Sequence, residues 1–493
     1  LQIWLGVLLM VAGLALLPCA VAAFAVLVMR RSVLTAAALA LVTALCLWML
    51  AIFSPVLPDQ LGRAVADAIV LELLVGLVVF PGILFVEETN RAGARNALVN
   101  AIDSLSLTPP RAVILVAVGI GVMMESLTGY GVSMFVTVPL LLQIVSRGRA
   151  IFLTLIGMSL MSWGALSISA LLGAELANLP PPVLGEAILY TSGPIAAVLP
   201  LFCLPFVQGS TCRDIVYAIF AGAMLVIGIA LASRWIGVEV AGVGGGLAVI
   251  VFSIMFASSK KGFTKAISTP SILPYGLLII AVVLQKFIVP QLAVISVAPL
   301  IETDRVSFEV LGSPGIALFL VTMISMALRP SKLWVKESFS LLHHVAKRSW
   351  PALTSILLFL IAARLLVEIG SIEALADLLS QLGLYPAIVL VAILGGIGSY
   401  VTGSGVASNA LFMPSAAATG ENLNALALFA SLQHSAAAHV GIASLPIIAI
   451  LLAALPDSKA TDERFAMRMG IGLALVWLFF VIASGAVQTA VTR

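Results

Sequence analysis

The segment Thr128-Gly129-Tyr130-Gly131-Val132 returns later in the chain as Thr402-Gly403-Ser404-Gly405-Val406. Each copy interrupts an apolar stretch, 112–145 and 386–417, that is too long for one helix across a bilayer. In hydrocarbon every backbone polar group needs a partner. Glycine-rich, polar backbone is therefore tolerated at that depth only where protein buries it or a watery cavity meets it. Two such interruptions at matching places argue against a plain bundle of straight helices. They point to broken elements that meet at a common site near the membrane midplane.

Composition agrees. The chain is 62% hydrophobic and 10% charged, with a mean hydropathy of +1.20, whereas soluble domains carry about 25% charged residues. It reads as an all-α, multi-pass membrane protein, with membrane lipid as its surroundings. The net charge of +3 gives no reason to expect a nucleic-acid partner, because the basic residues sit in short loops between apolar runs. Cys19, Cys46, Cys203 and Cys212 have no redox or metal-ligand spacing and read as packing residues, so no metal and no cofactor is expected. Residues 3–29 are too long for the apolar core of a signal peptide and read as a first span. Because the numbering starts at Leu1, an initiating segment is expected to precede it.

The pattern predicts about twelve transmembrane helices plus two re-entrant hairpins. The spans are 3–29, 33–53, 65–87, 150–173, 186–206, 214–232, 239–257, 272–289, 312–328, 350–369, 423–455 and 469–490, with hairpins 112–145 and 386–417. With both interrupted stretches entering and leaving on one side, most of the 25 Lys and Arg residues fall on one face. They include Arg30, Arg31, Arg91, Arg95, Arg111, Arg147, Arg149 and Arg213. Further along come Lys260, Lys261, Lys265, Arg329, Lys332, Lys336, Lys347, Arg348, Lys459, Arg464 and Arg468. That face is cytoplasmic by the positive-inside rule; the opposite loops, 174–185 and 370–385, contain no Lys or Arg.

The halves share a plan: a span, a short amphipathic segment, a hairpin and another span. The charge map gives them opposite orientation, hence an inverted repeat. Four regions follow: N-terminal spans 1–64, a first repeat 65–206, middle spans and an amphipathic linker 207–349, and a second repeat 350–493. The amphipathic segments 331–349 and 371–384 are expected to lie on the membrane surface.

Gly129, Gly131, Gly403 and Gly405 let the backbone turn sharply and approach a ligand. New half-helices are expected near Ser133 and near Ser408-Asn409, residue types that cap helix N-termini. Two such ends, each with free N–H groups and a positive dipole end, suit a small anion. The hydroxyls of Thr128, Thr402 and Ser404 and the amide of Asn409 would add hydrogen bonds; alternatively they only satisfy backbone freed at the breaks. Tyr130 sits in the first break where Ser404 sits in the second. Glu125, just before the first break, is a candidate proton carrier, since a charge left inside a span is costly. The alternative is a carboxylate that caps hairpin backbone. His434 and His439 lie in 423–455 ahead of Gly441 and Pro446. Either lines the path and titrates, or both are satisfied interior histidines. Arg364 is expected to form a local ion pair with Glu368 one turn on, or to snorkel, with substrate binding as the alternative, and Asp67 to lie at the membrane interface.

At these residues the chain resembles the bacterial lactate permease family. Val401–Phe412, with Gly403-Ser404 and Ser408-Asn409-Ala410-Leu411-Phe412, is similar to that family's TGSDTSSNALF stretch. Glu125 to Ser133, reading ESLTGYGVS, is similar to its EGAAGFGTP stretch. The resemblance implies an elevator-type fold like that of the ion-transporter superfamily, in the bacterial inner membrane. It implies proton-coupled symport of lactate or related 2-hydroxymonocarboxylates, so the partners are a small carboxylate and a proton. Two departures stand out. The family's aspartate after TGS is Gly405 here, and Val440-Gly441-Ile442-Ala443 stands where the family usually has a lysine before Ser444. Losing an acid and a base together leaves open sodium coupling or exchange of another carboxylate, and the oligomeric state is open between monomer and homodimer. A reading from another class is an intramembrane serine hydrolase using Ser404 with His434 or His439.

Overall fold

The computed structural model describes residues 2–55, 57–129, 131–257, 269–294, 299–303, 305–328 and 334–492. Tyr130 lies outside the described residues, as do the loop bases Lys260, Lys261, Lys265, Arg329 and Lys332. The chain is almost wholly helical, as its apolar runs require: a membrane helix pairs its own backbone N–H and C=O groups. Among the described residues ten helices are long and apolar enough to cross a membrane, or eleven with one bent pair taken as a single span.

The elements run α1 (Gln2–Leu27), α2 (Val33–Met49), α3 (Pro58–Arg91), α4 (Ala94–Asp103), α5 (Pro109–Thr128), α6 (Met134–Ile144), α7 (Arg147–Gly157) and α8 (Gly164–Leu176). Then come α9 (Pro181–Cys203), α10 (Cys212–Trp235), α11 (Ala241–Met255), α12 (Leu273–Val294), a two-stranded hairpin of β1 (Leu300–Glu302) and β2 (Ser307–Glu309), and α13 (Pro314–Ala327). The last part holds α14 (Trp334–Glu368), α15 (Ser371–Gln381), α16 (Leu384–Thr402), α17 (Gly405–Asn422), α18 (Leu426–Val440), α19 (Leu445–Ala454) and α20 (Ala460–Thr492).

One order of elements occurs twice. A 34-residue helix, α3, ends before Gly93 in a left-handed conformation (φ 83°), and the 10-residue α4 follows. A 35-residue helix, α14, ends before Gly370 (φ 77°), and the 11-residue α15 follows. Glycine is the residue that reverses a helix end this way without a Cβ clash. Next come two helices on either side of a break: α5 and α6 in one case, α16 and α17 in the other. Each series closes on an interrupted element, α7–α8 and α18–α19.

The structure departs from the expected spans at specific points. Residues 150–173 do not form one helix. The chain bends 46° between Gly157 and Met161, and Ala165, Leu166 and Ser167 have φ of 48°, 52° and 57°. Left-handed backbone costs about 1–2 kcal/mol per residue outside glycine. Tertiary contacts hold it: the Ser167 hydroxyl donates to the Val238 carbonyl at 2.6 Å. The described part of 331–349 is not a separate surface helix but runs into α14 past Pro351. In segment 371–384 the apolar side is turned to protein. Helix α15 buries Ile372, Leu375, Ala376 and Leu379 and packs on α1 and α17. Helix α2 has 17 residues, shorter than expected, because the chain turns at Ala51 (φ 47°). The broken element 423–455 is interrupted, as expected, at Gly441–Ser444.

Helix α5 forms the most enclosed span, with 89% of its apolar window buried. Small residues permit that enclosure. A Cβ on Gly246 of α11 would lie 2.6 Å from Met123 Cβ of α5, so only glycine lets the two helices meet there. Cys203 is buried, while Cys46 and Cys212 are exposed, so the packing reading holds for only part of the set.

Candidate functional site

Both breaks open on one cavity of about 380 Å³. The first contributes Glu125 and Gly129; the second contributes the run Thr402–Ala407. The interrupted elements that follow supply further walls, Ala165 and Ser169 from α8 and Pro446 and Ile450 from α19. Helix α14 adds Ser355 and Ile356.

Glycines let these pieces meet. Gly129 (φ 66°) and Gly403 (φ 72°) sit in the left-handed region. A Cβ on Gly129 would lie 2.4 Å from Ala165 Cβ, and one on Gly403 would lie 2.5 Å from Pro446 Cγ. Each first glycine is thus pressed onto the interrupted element that follows its own break. The second glycines cross over. A Cβ on Gly131 would lie 3.1 Å from Ile450 Cγ2, and one on Gly405 would lie 3.1 Å from Ser169 Oγ.

Glu125 is 2% exposed. Its Oε2 accepts a hydrogen bond from the Ser133 hydroxyl at 2.8 Å, and its Oε1 accepts one from the Gly131 N–H at 3.2 Å. The carboxylate therefore faces the N-terminus of α6, where a helix dipole and unpaired N–H groups favour negative charge. Thr128 turns away and donates to the Met124 carbonyl at 2.6 Å. Gly131 and Ser133 are thus gathered around Glu125, and neither they nor Thr128 line the cavity.

The second break is arranged differently. The half-helix starts at Gly405, not near Ser408-Asn409 as the residue types suggested. Ser404 is its cap and accepts from the Ala407 N–H at 3.3 Å. A helix leaves its first N–H groups without intrahelical partners, so those of Gly405 and Val406 begin α17 at the cavity wall. Thr402 donates to the Gly398 carbonyl at 2.7 Å and accepts from the Ser404 N–H at 3.3 Å, which holds the turn. Ser408 and Asn409 lie one turn inside the helix, fully buried. The Ser408 hydroxyl donates to the Gly395 carbonyl at 2.8 Å. The Asn409 amide donates to the Ser169 carbonyl at 2.9 Å and sits 3.0 Å from His434 Nδ1.

The histidines are fully buried behind the cavity. His434 Nε2 lies 3.0 Å from the Ser162 carbonyl, and His439 Nδ1 meets the Ser159 carbonyl. A carbonyl only accepts, so these nitrogens donate. That leaves His434 Nδ1 to accept from Asn409 and His439 Nε2 beside the Ser192 hydroxyl at 2.9 Å. Neither ring touches Ser404, whose oxygen is turned to Ala407, so the two halves of the hydrolase arrangement are not brought together.

Sequence reasoning missed Ser159, Ser162 and Ser169. Their signal was a cluster of serines around Trp163-Gly164 inside an otherwise apolar span. One expected pairing also changes: Glu368 pairs with Arg305 at 3.0 Å rather than with Arg364. Asp67 is 2% exposed and so enclosed by protein.

Among the described residues no group of three or more His, Cys, Asp or Glu side chains is placed to hold a metal ion. No curated protein matches the chain closely enough to count as a relative. The family model described as L-lactate permease matches residues 12–292 and 263–488. That match spans nearly the whole length and includes both breaks. The chain, a multi-pass membrane protein, therefore belongs to the L-lactate permease family.

Proposed function

We propose that this chain is a secondary active transporter of small organic anions, carrying lactate or related 2-hydroxymonocarboxylates in symport with protons across the bacterial inner membrane. The observation that carries the reading is the shared cavity between the two breaks. It is walled largely by apolar side chains, yet it holds one carboxylate, Glu125, and one helix N-terminus capped only by Ser404. The cargo's carboxylate docks on the N–H groups of Gly405 and Val406. The hydroxyls of Ser404 and Ser169 are placed to bond its 2-hydroxyl.

Coupling follows from charge. A bound carboxylate and an ionised Glu125 would be like charges in one small apolar cavity. A proton on Glu125 removes the conflict, so cargo and proton load and leave together. His434 and His439, with their nitrogens engaged by serine and asparagine groups, position the walls rather than carry the proton. Family membership and the doubled order of elements support an inverted repeat with re-entrant hairpins 112–145 and 386–417 that moves as an elevator.

Uptake of labelled DL-lactate into proteoliposomes, with separate pH and sodium gradients, tests this reading. Accumulation driven by an inward proton gradient is expected. Accumulation driven by sodium alone, or exchange with no response to either gradient, would replace proton symport with the corresponding alternative. No movement of any carboxylate would remove the reading.

A further inference from the structure

Helices α8, α14 and α17 wall the cavity between the breaks with Ser169, Ile356 and Val406. Two turns further along, the same three helices wall a second, polar cavity of about 880 Å³ with Glu175, Arg364 and Pro414. At 1.5 Å per residue the two cavities are about 9–12 Å apart along one seam. The second opens toward Asn178 and Glu373, beside loops 174–185 and 370–385, which carry no Lys or Arg. By the positive-inside rule that is the outer face.

Arg364 is 7% exposed, and its Nε and Nη2 have no hydrogen-bond partner among the described residues. Its expected partner Glu368 is taken by Arg305 of the β1–β2 hairpin. Asp67 from α3 and Glu175 from α8 lie within its electrostatic reach, as do Glu368 and Arg305. The two unpaired acids balance the guanidinium charge without occupying its donors. Glu302, Glu373 and Glu421 also line the cavity but are exposed to solvent, where water screens them. A buried guanidinium with idle donors is costly to keep, and its planar fork matches a carboxylate in two parallel hydrogen bonds.

We propose that Arg364 forms an outer docking site for the carboxylate of the cargo, occupied before the anion moves along the α8–α14–α17 seam to the breaks. This rests on the reading of the protein as a carboxylate transporter. Its signature is sidedness: the site affects loading from the outer face and not from the inner one.

The test measures initial rates of DL-lactate uptake against concentration in right-side-out cells and in inverted vesicles, for the full chain, Arg364→Gln and Arg364→Lys. Arg364→Gln should raise half-saturation from outside about tenfold, with a maximal rate within about twofold of the unmodified chain. Half-saturation from inside should not move. Arg364→Lys keeps the charge but not the fork and should show a smaller rise, of about threefold, from outside only. This second variant keeps the test decisive if Arg364→Gln fails to reach the membrane. Unchanged outer half-saturation, an equal rise from both faces, or a fall in maximal rate alone would each overturn the docking site. Failure of the unmodified chain to move lactate in either preparation would overturn the functional reading instead.

Discussion

The two breaks share a sequence pattern and a first glycine at positive φ, but only at one of them does a carboxylate of the chain face the new helix. At the first, Glu125 faces the start of α6 and accepts from Gly131 and Ser133. At the second, α17 begins at Gly405 with only the Ser404 hydroxyl as cap. One helix end is closed by the protein's own carboxylate; the other is open to the cavity. The difference teaches how a doubled architecture can yield an asymmetric site. Two equivalent helix ends would favour two anions or none, whereas here a carboxylate faces one end and only a hydroxyl caps the other.

The equivalence of the two hairpins breaks down most sharply if one of them spans the membrane. With both re-entrant, cysteines at Thr108 and Arg147 should be labelled from the cytoplasm and those at Tyr385 and Glu421 from outside, an all-or-none readout with impermeant reagents. Labelling of Thr108 and Arg147 from opposite faces would end the hairpin proposal.

The next largest effect concerns the closed break. Glu125→Gln keeps the shape but holds no titratable proton. Accumulation driven by a pH gradient should fall to background, while exchange of labelled lactate across the membrane stays within about twofold. Intact pH-driven accumulation in this variant would move the proton site elsewhere. Loss of both activities, with a lower melting temperature, would make Glu125 a structural cap.

Filling the open break separates binding from folding. A Cβ on Gly405 would lie 3.1 Å from Ser169 Oγ, and Gly405 is absent from the glycines with positive φ. Gly405→Val should therefore weaken lactate binding about a hundredfold with little change in melting temperature, the added methyls covering the N–H groups of α17. Gly131 has a φ of 71°, so Gly131→Val should instead cost stability, about 1–2 kcal/mol in thermal unfolding. The reverse pattern, with binding lost only in Gly131→Val, would place the cargo at the first break.

A smaller change would make the breaks alike. Gly405→Asp puts a carboxylate at the start of α17, where the dipole favours it. It should compete with the cargo and raise half-saturation about tenfold. Ser404→Ala, which removes only the cap, should cost about 1 kcal/mol of stability and shift half-saturation about threefold. Unaltered uptake in Gly405→Asp would mean that the cargo does not use that helix end.

Much of this was legible in the chain. The apolar runs required a helical membrane protein, since in lipid only a structure that pairs its own backbone is stable. The TG-x-G-V echo marked both breaks, because glycine at positive φ is a local requirement that residue type reports directly. Glu125 stood out because a carboxylate in an apolar run needs a reason.

Other features depended on contacts between segments distant in sequence. Nothing local in 150–173 predicts left-handed backbone at Ala165, Leu166 and Ser167; it follows from Gly129 pressing on Ala165 and from Ser167 bonding Val238. Ser408 and Asn409 have capping side chains, but Thr402 and Ser404 set the turn earlier, so the helix had already begun. Glu368 lies one turn from Arg364, but Arg305, from a hairpin far away in the chain, takes it. The sequence alone determined the medium, the helices and the places where they break. Tertiary structure decided which polar groups meet across those breaks, because hydrogen bonds and ion pairs depend on distance in space, which spacing along the chain does not report.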